Sequence, residues 1–309
     1  MLKYTGKRIF IGILSLFVLV TAAFFLTRLM PGSPFQSGNV SGDVLKSMEE
    51  EYGLDKPMTE QYRLYLGNLL QGDLGVSYKK PGVTVAEVIR RAWPMTAALG
   101  GLAILAAVVL GTLLGIWQAS SDRKAVKGGI FLGGMLGTGI PNFVIALLLM
   151  FFFGVKLKLL PIAGLTGPEN YILPVISLAV YPTAVIARMM QNTFREEMQK
   201  DYVLLARAKG LKPGRTALTH ILKNAWIPVL NYLGPASAFL LTGSFVVESI
   251  FTIPGLGRQF VSSIANRDYT LILGLTIFMG AVVILIQLAV DLLSACIDPR
   301  VRRSYVDEE

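Results

Sequence analysis

The stretch DYVLLARAKGLKPGRTALTHILK, Asp201–Lys223, decides how this chain is read: it is polar and basic, yet it lies between two long uncharged runs. Asn170–Ala187 before it and Asn224–Val247 after it contain no Asp, Glu, Lys or Arg. Four further runs share that character: Ile9–Thr27, Ala92–Ser121, Gly128–Val155 and Tyr269–Val290. Each is long enough to cross a hydrocarbon layer of about 30 Å as a helix. Backbone groups in lipid must be satisfied within the segment, so these runs are helices and not strands. Hydrophobic residues make up 53% of the chain and charged residues only 16%, against about a quarter charged in soluble domains. The expected fold class is all-α, a polytopic membrane protein with six transmembrane helices. Lys3, Lys7 and Arg8 precede the first run as in a signal peptide, but its apolar core is too long, and Arg28-Leu29-Met30-Pro31 is a poor cleavage site. It reads as a retained span.

Orientation follows from Lys and Arg. With the N-terminus inside, the inner pieces 1–8, 119–127, 193–224 and 297–309 hold 3, 3, 7 and 3 basic residues. The outer pieces 31–93, 154–170 and 251–268 hold 7, 2 and 2, nearly matched by 10 acids. Both termini are therefore expected to be cytoplasmic, and the net charge of +9 is this topological bias and not a nucleic-acid footprint. The single cysteine, Cys296, excludes an intrachain disulfide framework and a cysteine-cluster metal site.

The chain divides into an N-terminal transmembrane helix (1–30), an extracytoplasmic cap segment (31–93), a five-helix core (94–300) containing the cytoplasmic loop 193–224, and a tail (301–309). In the cap, Asp43–Tyr52 and Thr59–Leu70 read as short amphipathic helices. Val44, Leu45 and Met48 share one face of the first, and Tyr62, Leu66 and Leu69 or Leu70 one face of the second. Gln71–Gly75 and Pro81-Gly82 are turns. Gly111–Gly115, Gly129–Gly133 and Gly133–Gly137 have the spacing that lets helices approach closely. Gly139-Ile140-Pro141-Asn142 interrupts the third span, where proline removes a helix hydrogen bond. A simple kink and a local opening onto a pathway both satisfy that pattern, and Asn142 is a candidate path residue.

Charge within the spans is sparse. Glu248 follows Ser244 at i,i+4, and Asp291 follows Gln287 in the same way. A carboxylate at membrane depth costs roughly 2.5–3.5 kcal/mol on insertion scales, so each should face protein or water. Ser244 and Glu248 are candidates for the path, with a structural polar contact as the other reading. Enzyme chemistry is poorly represented. His220 is the only histidine and lies in the cytoplasmic loop, which removes a multi-histidine metal centre and a Ser-His pair within the membrane. Gly210–Thr216 is partly like a phosphate-binding loop, but is one residue short and has Arg215 where lysine is required. No metal site and no cofactor are expected in this chain.

In the loop itself, Asp201–Lys209 should be a short helix closed by Gly210, with Arg207 and Lys209 in its last turn. Leu204, Leu205 and Ala208 form an apolar face, and Lys212-Pro213-Gly214 turns the chain. Such a helix suits a groove on a partner; a basic loop held near anionic headgroups is the alternative. At these residues the sequence is similar to a known family. Ala206-Arg207-Ala208-Lys209-Gly210-Leu211, preceded by Asp201-Tyr202 and followed by Asn224-Ala225 and Pro228, resembles the coupling loop of ABC-importer permeases of the peptide/nickel, binding-protein-dependent branch. Also similar are Arg28–Phe35, Gly72–Gly75, Ile140–Phe143, Thr242–Phe245, Ile253–Gly257, Asn266–Tyr269 and Ile297–Arg300. The likeness covers nearly the whole chain and is greatest to the oligopeptide members, with dipeptide members next. It departs at Leu204 and Leu205, where the wider superfamily has Glu and Ala.

The resemblance implies the type I importer permease fold in a bacterial inner membrane. It implies a homologous second permease, two ATPase subunits that bind ATP and magnesium, and an extracytoplasmic peptide-binding protein. Asp201, Tyr202, Leu204, Leu205, Ala206, Arg207, Ala208, Lys209, Gly210 and Leu211 would couple to an ATPase, and Ile253, Pro254, Gly255 and Arg258 would face the binding protein. Membrane lipid and a peptide substrate are the other expected partners, and nucleic acid is not. Dipeptides, glutathione or chelated nickel are alternative cargoes. An ATP-independent channel or secondary transporter is the alternative of another class, and it lacks a filter motif or paired intramembrane carboxylates here; a receptor or assembly factor is a further one.

Overall fold

Apolar surface and internal hydrogen bonding make long helices the only regular structure of weight in this chain. The computed structural model describes residues 2–30, 34–35 and 42–297. The expected tail 301–309, the end of the Ile297–Arg300 motif and part of the Arg28–Phe35 motif lie outside the described residues, as do the side chains of Val44, Leu45 and Cys296. The helices are α1 (Leu2–Arg28), α2 (Gly42–Glu51), α3 (Met58–Leu70), α4 (Val85–Ser120), α5 (Lys124–Gly139), α6 (Asn142–Leu149), α7 (Ile172–Glu197), α8 (Asp201–Ala208), α9 (Pro213–Thr216), α10 (Leu222–Ala225), α11 (Ile227–Leu241), α12 (Phe245–Ile250), α13 (Leu256–Ala265) and α14 (Tyr269–Ile297). Wider π turns continue α6 over Met150–Lys156 and join α9 to α10 over Ala217–Ile221.

Among the described residues, five stretches are long and apolar enough to cross a membrane: Thr5–Arg28, Val85–Ser120, Pro168–Glu197, Ile227–Ile250 and Tyr269–Ser294. The third expected span is interrupted at Gly139–Asn142, where the sequence placed the interruption: α5 and the segment Asn142–Lys156 meet at 105°, and the pair makes six only if counted as one broken span. Pro141 explains the break: it has no N–H to donate and biases Ile140 out of the helical region, and Ile140 is extended at φ −95°, ψ 124°.

The centre is the pair α4 and α7, which run parallel. Gly111 lies against Ile186 and Thr183, and Gly115 against Ala187 and Met190, so close that an added Cβ at Gly115 would stand 2.6 Å from the Ala187 carbonyl oxygen. The GxxxG spacing in α4 is thus used within the chain. In α5 only Gly137 packs on α7, against Val180 and Ala184; Gly129 and Gly133 have no atom within 4 Å of where a Cβ would be.

α14 runs antiparallel to α1 along most of its length. Gly12 meets Ile284 and Gly280 meets Leu19, Arg8 pairs with Asp291 at 3.3 Å, and the Arg28 guanidinium lies 5.2 Å from the Tyr269 ring centre. The N-terminal part of α1 and the C-terminal part of α14 are therefore on the same side. On the opposite side α3 crosses α1, with Tyr62 bonded to Thr21 at 2.7 Å and Arg28 Nε donating to Gln61 at 2.8 Å. Tyr62, Leu66 and Leu69 are the half-buried face of α3, while Leu70 is 89% exposed. Asp268, just before α14, accepts from Ser77 Oγ, from the Tyr78 N–H at 3.1 Å and from the Leu271 N–H at 3.3 Å. That carboxylate fastens the loop after α3 to the start of the last span.

Candidate functional site: a docking helix and its anchor

α8 is short, so its position depends on what holds it and not on its own propensity. Val203 is fully buried in a core with Met190, Phe194, Ile221, Ala225 and Val229, and Ala206 is buried beside it. The opposite face carries Leu204 and Leu205, each 57% exposed, with Ala208 exposed next to them. Large apolar side chains exposed on an anchored helix have the pattern of a docking surface. The helix ends as expected: Gly210 is left-handed at φ +79°, and the Leu211 N–H closes onto the Ala206 carbonyl at 3.2 Å. No atom lies within 4 Å of where a Cβ at Gly210 would sit, so glycine is needed there for backbone conformation and not for space.

An acid that the sequence did not single out anchors this element. Glu197, at the end of α7, accepts from Lys200 Nζ, from the Tyr202 hydroxyl and from Asn224 Nδ2 at 3.3 Å. Asn224 Nδ2 also reaches the Tyr202 oxygen at 3.2 Å, and Thr193 Oγ1 donates to the Ala225 carbonyl at 3.0 Å. One carboxylate thereby joins α7, the start of α8 and α10. Its hydrogen bond raises the Lys200 pKa. Burial first, and the bond to Glu197 second, raise that of Tyr202, so both remain proton donors at neutral pH. Of the expected coupling set, Asp201, Leu204, Leu205, Arg207, Ala208, Lys209 and Gly210 are exposed, and Tyr202 and Leu211 half-buried. Ala206 is the correction: it faces the chain's own core, because a helix pinned at Val203 also buries the residue one turn on.

Of the expected path residues, Ser244 and Glu248 are joined through the backbone, the Glu248 N–H donating to the Ser244 carbonyl at 2.8 Å. Asn142 is half-buried at the start of α6, and Ser244 is half-buried just before α12. Glu248 is 2% exposed and bonds within the fold. Oε1 accepts from Thr96 Oγ1 at 2.9 Å and Oε2 from the Arg258 N–H at 2.9 Å, with the Gly257 N–H a further donor. Thr96 in turn accepts the Leu256 N–H at 2.8 Å. The free N–H groups that open α13 are thus satisfied by a carboxylate from α12 and a hydroxyl from α4, the polarity that a helix start favours. Gly255 makes room, since a Cβ there would lie 2.6 Å from both Glu248 oxygens. Of the four residues expected to face a binding protein, Ile253 and Gly255 are buried under this arrangement, while Pro254 is exposed and Arg258 half-buried. Asp291 accepts from Gln287 at 3.1 Å as the spacing suggested, and its second partner is Arg8. Among the described residues, no group of three or more His, Cys, Asp or Glu could hold a metal ion.

Comparison with known proteins identifies the family of this chain. Residues 111–303 match the family described as "Binding-protein-dependent transport system inner membrane component", and residues 1–100 match the accompanying N-terminal family, "Binding-prot-dependent transport system membrane comp, N-term". The dipeptide transport system permease protein DppB of Lactococcus lactis subsp. cremoris is 40% identical over 304 residues, covering 98% of this chain and 100% of that one. The oligopeptide transport system permease protein OppB of Haemophilus influenzae is 41% identical over 305 residues, with 98% and 100% covered. Among solved structures, the methionine ABC transporter MetNI in an inward-facing conformation superposes with a TM-score of 0.54 at 18% identity, over 68% of this chain and 96% of that one. That last likeness establishes the fold.

Proposed function

Because the chain belongs to the family of binding-protein-dependent transport system inner membrane components, we propose that it forms one half of the path of an ATP-driven peptide importer and is driven through α8. Its relatives are permeases of dipeptide and oligopeptide transport systems, and oligopeptides are the proposed cargo. A second, similar permease would complete the path, two ATPase subunits would bind and hydrolyse ATP with its magnesium ion, and a binding protein would deliver peptide on the outer face. The side bearing α8 is then cytoplasmic.

The observation that carries this reading is the two-sided character of α8. Its inner side is locked by Val203, Ala206 and the Glu197 node, and its outer side offers Leu204, Leu205 and Ala208. Coupling requires a partner whose contact differs between two states and an element stiff enough to transmit the difference. A helix clamped to the ends of two spans is such a lever. When the ATPases close on ATP, their displacement of α8 would pass through Glu197 to α7 and through Asn224 to α10 and α11.

The test is uptake of a labelled oligopeptide by proteoliposomes containing this chain, its partner permease and both ATPases, with binding protein outside. Leu205→Asp changes an exposed side chain and should leave the spans inserted. Uptake is expected to fall at least tenfold with loss of ATPase co-purification, the usual consequence of burying a charge in an apolar contact. Full uptake by Leu205→Asp would refute docking through α8, and ATP-independent uptake would refute the importer.

A further inference from the structure

The exposed surfaces of the long helices are apolar almost throughout. Within its uncharged run, α1 shows Phe10, Ile13 and Phe17, and α4 shows Leu105, Leu110 and Leu113. One surface breaks that pattern. Along α7, Tyr181, Arg188, Asn192 and Arg195 are exposed, at intervals of seven, four and three residues that place them on one stripe, about 21 Å long at 1.5 Å per residue. α11 packs beside it and exposes Asn231, Pro235 and Phe239 at i, i+4 and i+8.

Arg188 is the unusual member. Of the 29 Lys and Arg residues, only Arg28 and Arg188 fall outside the inner and outer pieces counted from the sequence; Arg90, Arg91 and Arg195 lie near the ends of α4 and α7. Arg28 is accounted for by Gln61 and by the rings of Phe24 and Tyr269. Arg188 lies within the apolar stretch Pro168–Glu197 and, among the described residues, has no ion pair, hydrogen bond or ring contact. A guanidinium facing lipid within a span is costly, so such a group faces protein, water or an anion. The company of Tyr181, Asn192 and Asn231 makes this surface unsuited to acyl chains.

We propose that Arg188 is an anion-recognition point on the path, and that the anion it holds is the C-terminal carboxylate of a peptide in transit. The assignment rests on the peptide-importer reading above. The terminal carboxylate is the one anion that every free peptide carries whatever its side chains, so a conduit can hold it without selecting sequence. Arginine matches a carboxylate with two parallel hydrogen bonds. Asn192 lies one turn away and Tyr181 two turns away, as neutral partners for peptide groups. Arg188 is also nine residues, about 14 Å, from Glu197 on the same helix, so a displacement of α8 moves the anion point together with the lever.

The test compares one peptide with a free C-terminus and the same peptide amidated, each presented on pre-loaded binding protein to the complete reconstituted importer. Loading is measured separately for both. The readout is the ratio of acid to amide uptake rates. Arg188→Gln is expected to lower that ratio about tenfold, the loss of one charge-assisted pair, and Arg188→Lys to recover part of it. Photocrosslinking from a C-terminal label on the peptide should reach α7 in the wild type and not in Arg188→Gln. An unchanged ratio in both variants overturns the proposal. Equal loss of both uptakes also overturns it, assigning Arg188 to the second permease if co-purification fails, or to a lipid phosphate if anionic lipid restores uptake. Should Arg188→Gln fail to insert, a wild-type ratio in Arg188→Lys together with absent crosslinking to α7 overturns it as well. A wild-type importer that carries neither peptide refutes the peptide reading itself.

Discussion

The Glu248 carboxylate makes a structural polar contact, one of the two readings open for it in the sequence beside that of a path residue. At i,i+4 from Ser244 it has the position of a path residue, yet its oxygens are spent on Thr96 and on the N–H groups of Gly257 and Arg258. A group that closes a helix start should act on stability. Gly255→Ala would drive a methyl against both oxygens and is expected to destabilise by about 1–3 kcal/mol. Glu248→Ala, which orphans buried donors, should cost about 3 kcal/mol. Both are read from unfolding midpoints in detergent, alongside uptake per correctly folded importer. Normal midpoints with abolished uptake would return Glu248 to the path. Glu197 is the opposite case, passed over in the sequence because nothing in its neighbourhood signals that Tyr202 and Asn224 converge on it.

At the scale of elements, the glycine pairs divide by use. In α4 they let α7 approach, and Gly111→Val would press into Ile186 and the Thr183 carbonyl. Its expected cost is about 1–3 kcal/mol. Gly129→Val in α5 meets no atom of this chain and should leave the unfolding midpoint of the isolated subunit unchanged. Measuring both in detergent checks the packing, and equal effects would contradict it. The docking helix was legible as a helix with a glycine stop because propensity, amphipathic spacing and a left-handed cap are local properties. That Ala206 turns inward was not, because the core that pins Val203 is assembled from α7, α10 and α11.

For the whole molecule, topology is the property with the clearest external test. The alternation of spans puts the loop with α8 opposite the segment holding α3, and the basic-residue bias is the ground for proposing that the α8 side is cytoplasmic. With Cys296 replaced by serine, a membrane-impermeant thiol reagent applied to whole cells should label Lys79→Cys and spare Leu205→Cys. Inverted vesicles should give the reverse. Labelling of Leu205→Cys from outside would invert the orientation and remove the ATPase-docking assignment with it.

The sequence by itself determined that this chain spans a membrane several times, and that a basic helix and turn interrupt its apolar runs. These follow from transfer free energies and local propensities, which accumulate along the chain without reference to distant residues. Tertiary structure alone decided that the third run breaks at 105° and that Glu248 meets a threonine 152 residues earlier. It also decided that Glu197 clamps the docking helix and that Arg188 stands exposed on a polar stripe. Partners and exposed faces are properties of packing, set by which helices meet and at what rotation, and no periodicity within one segment contains that information.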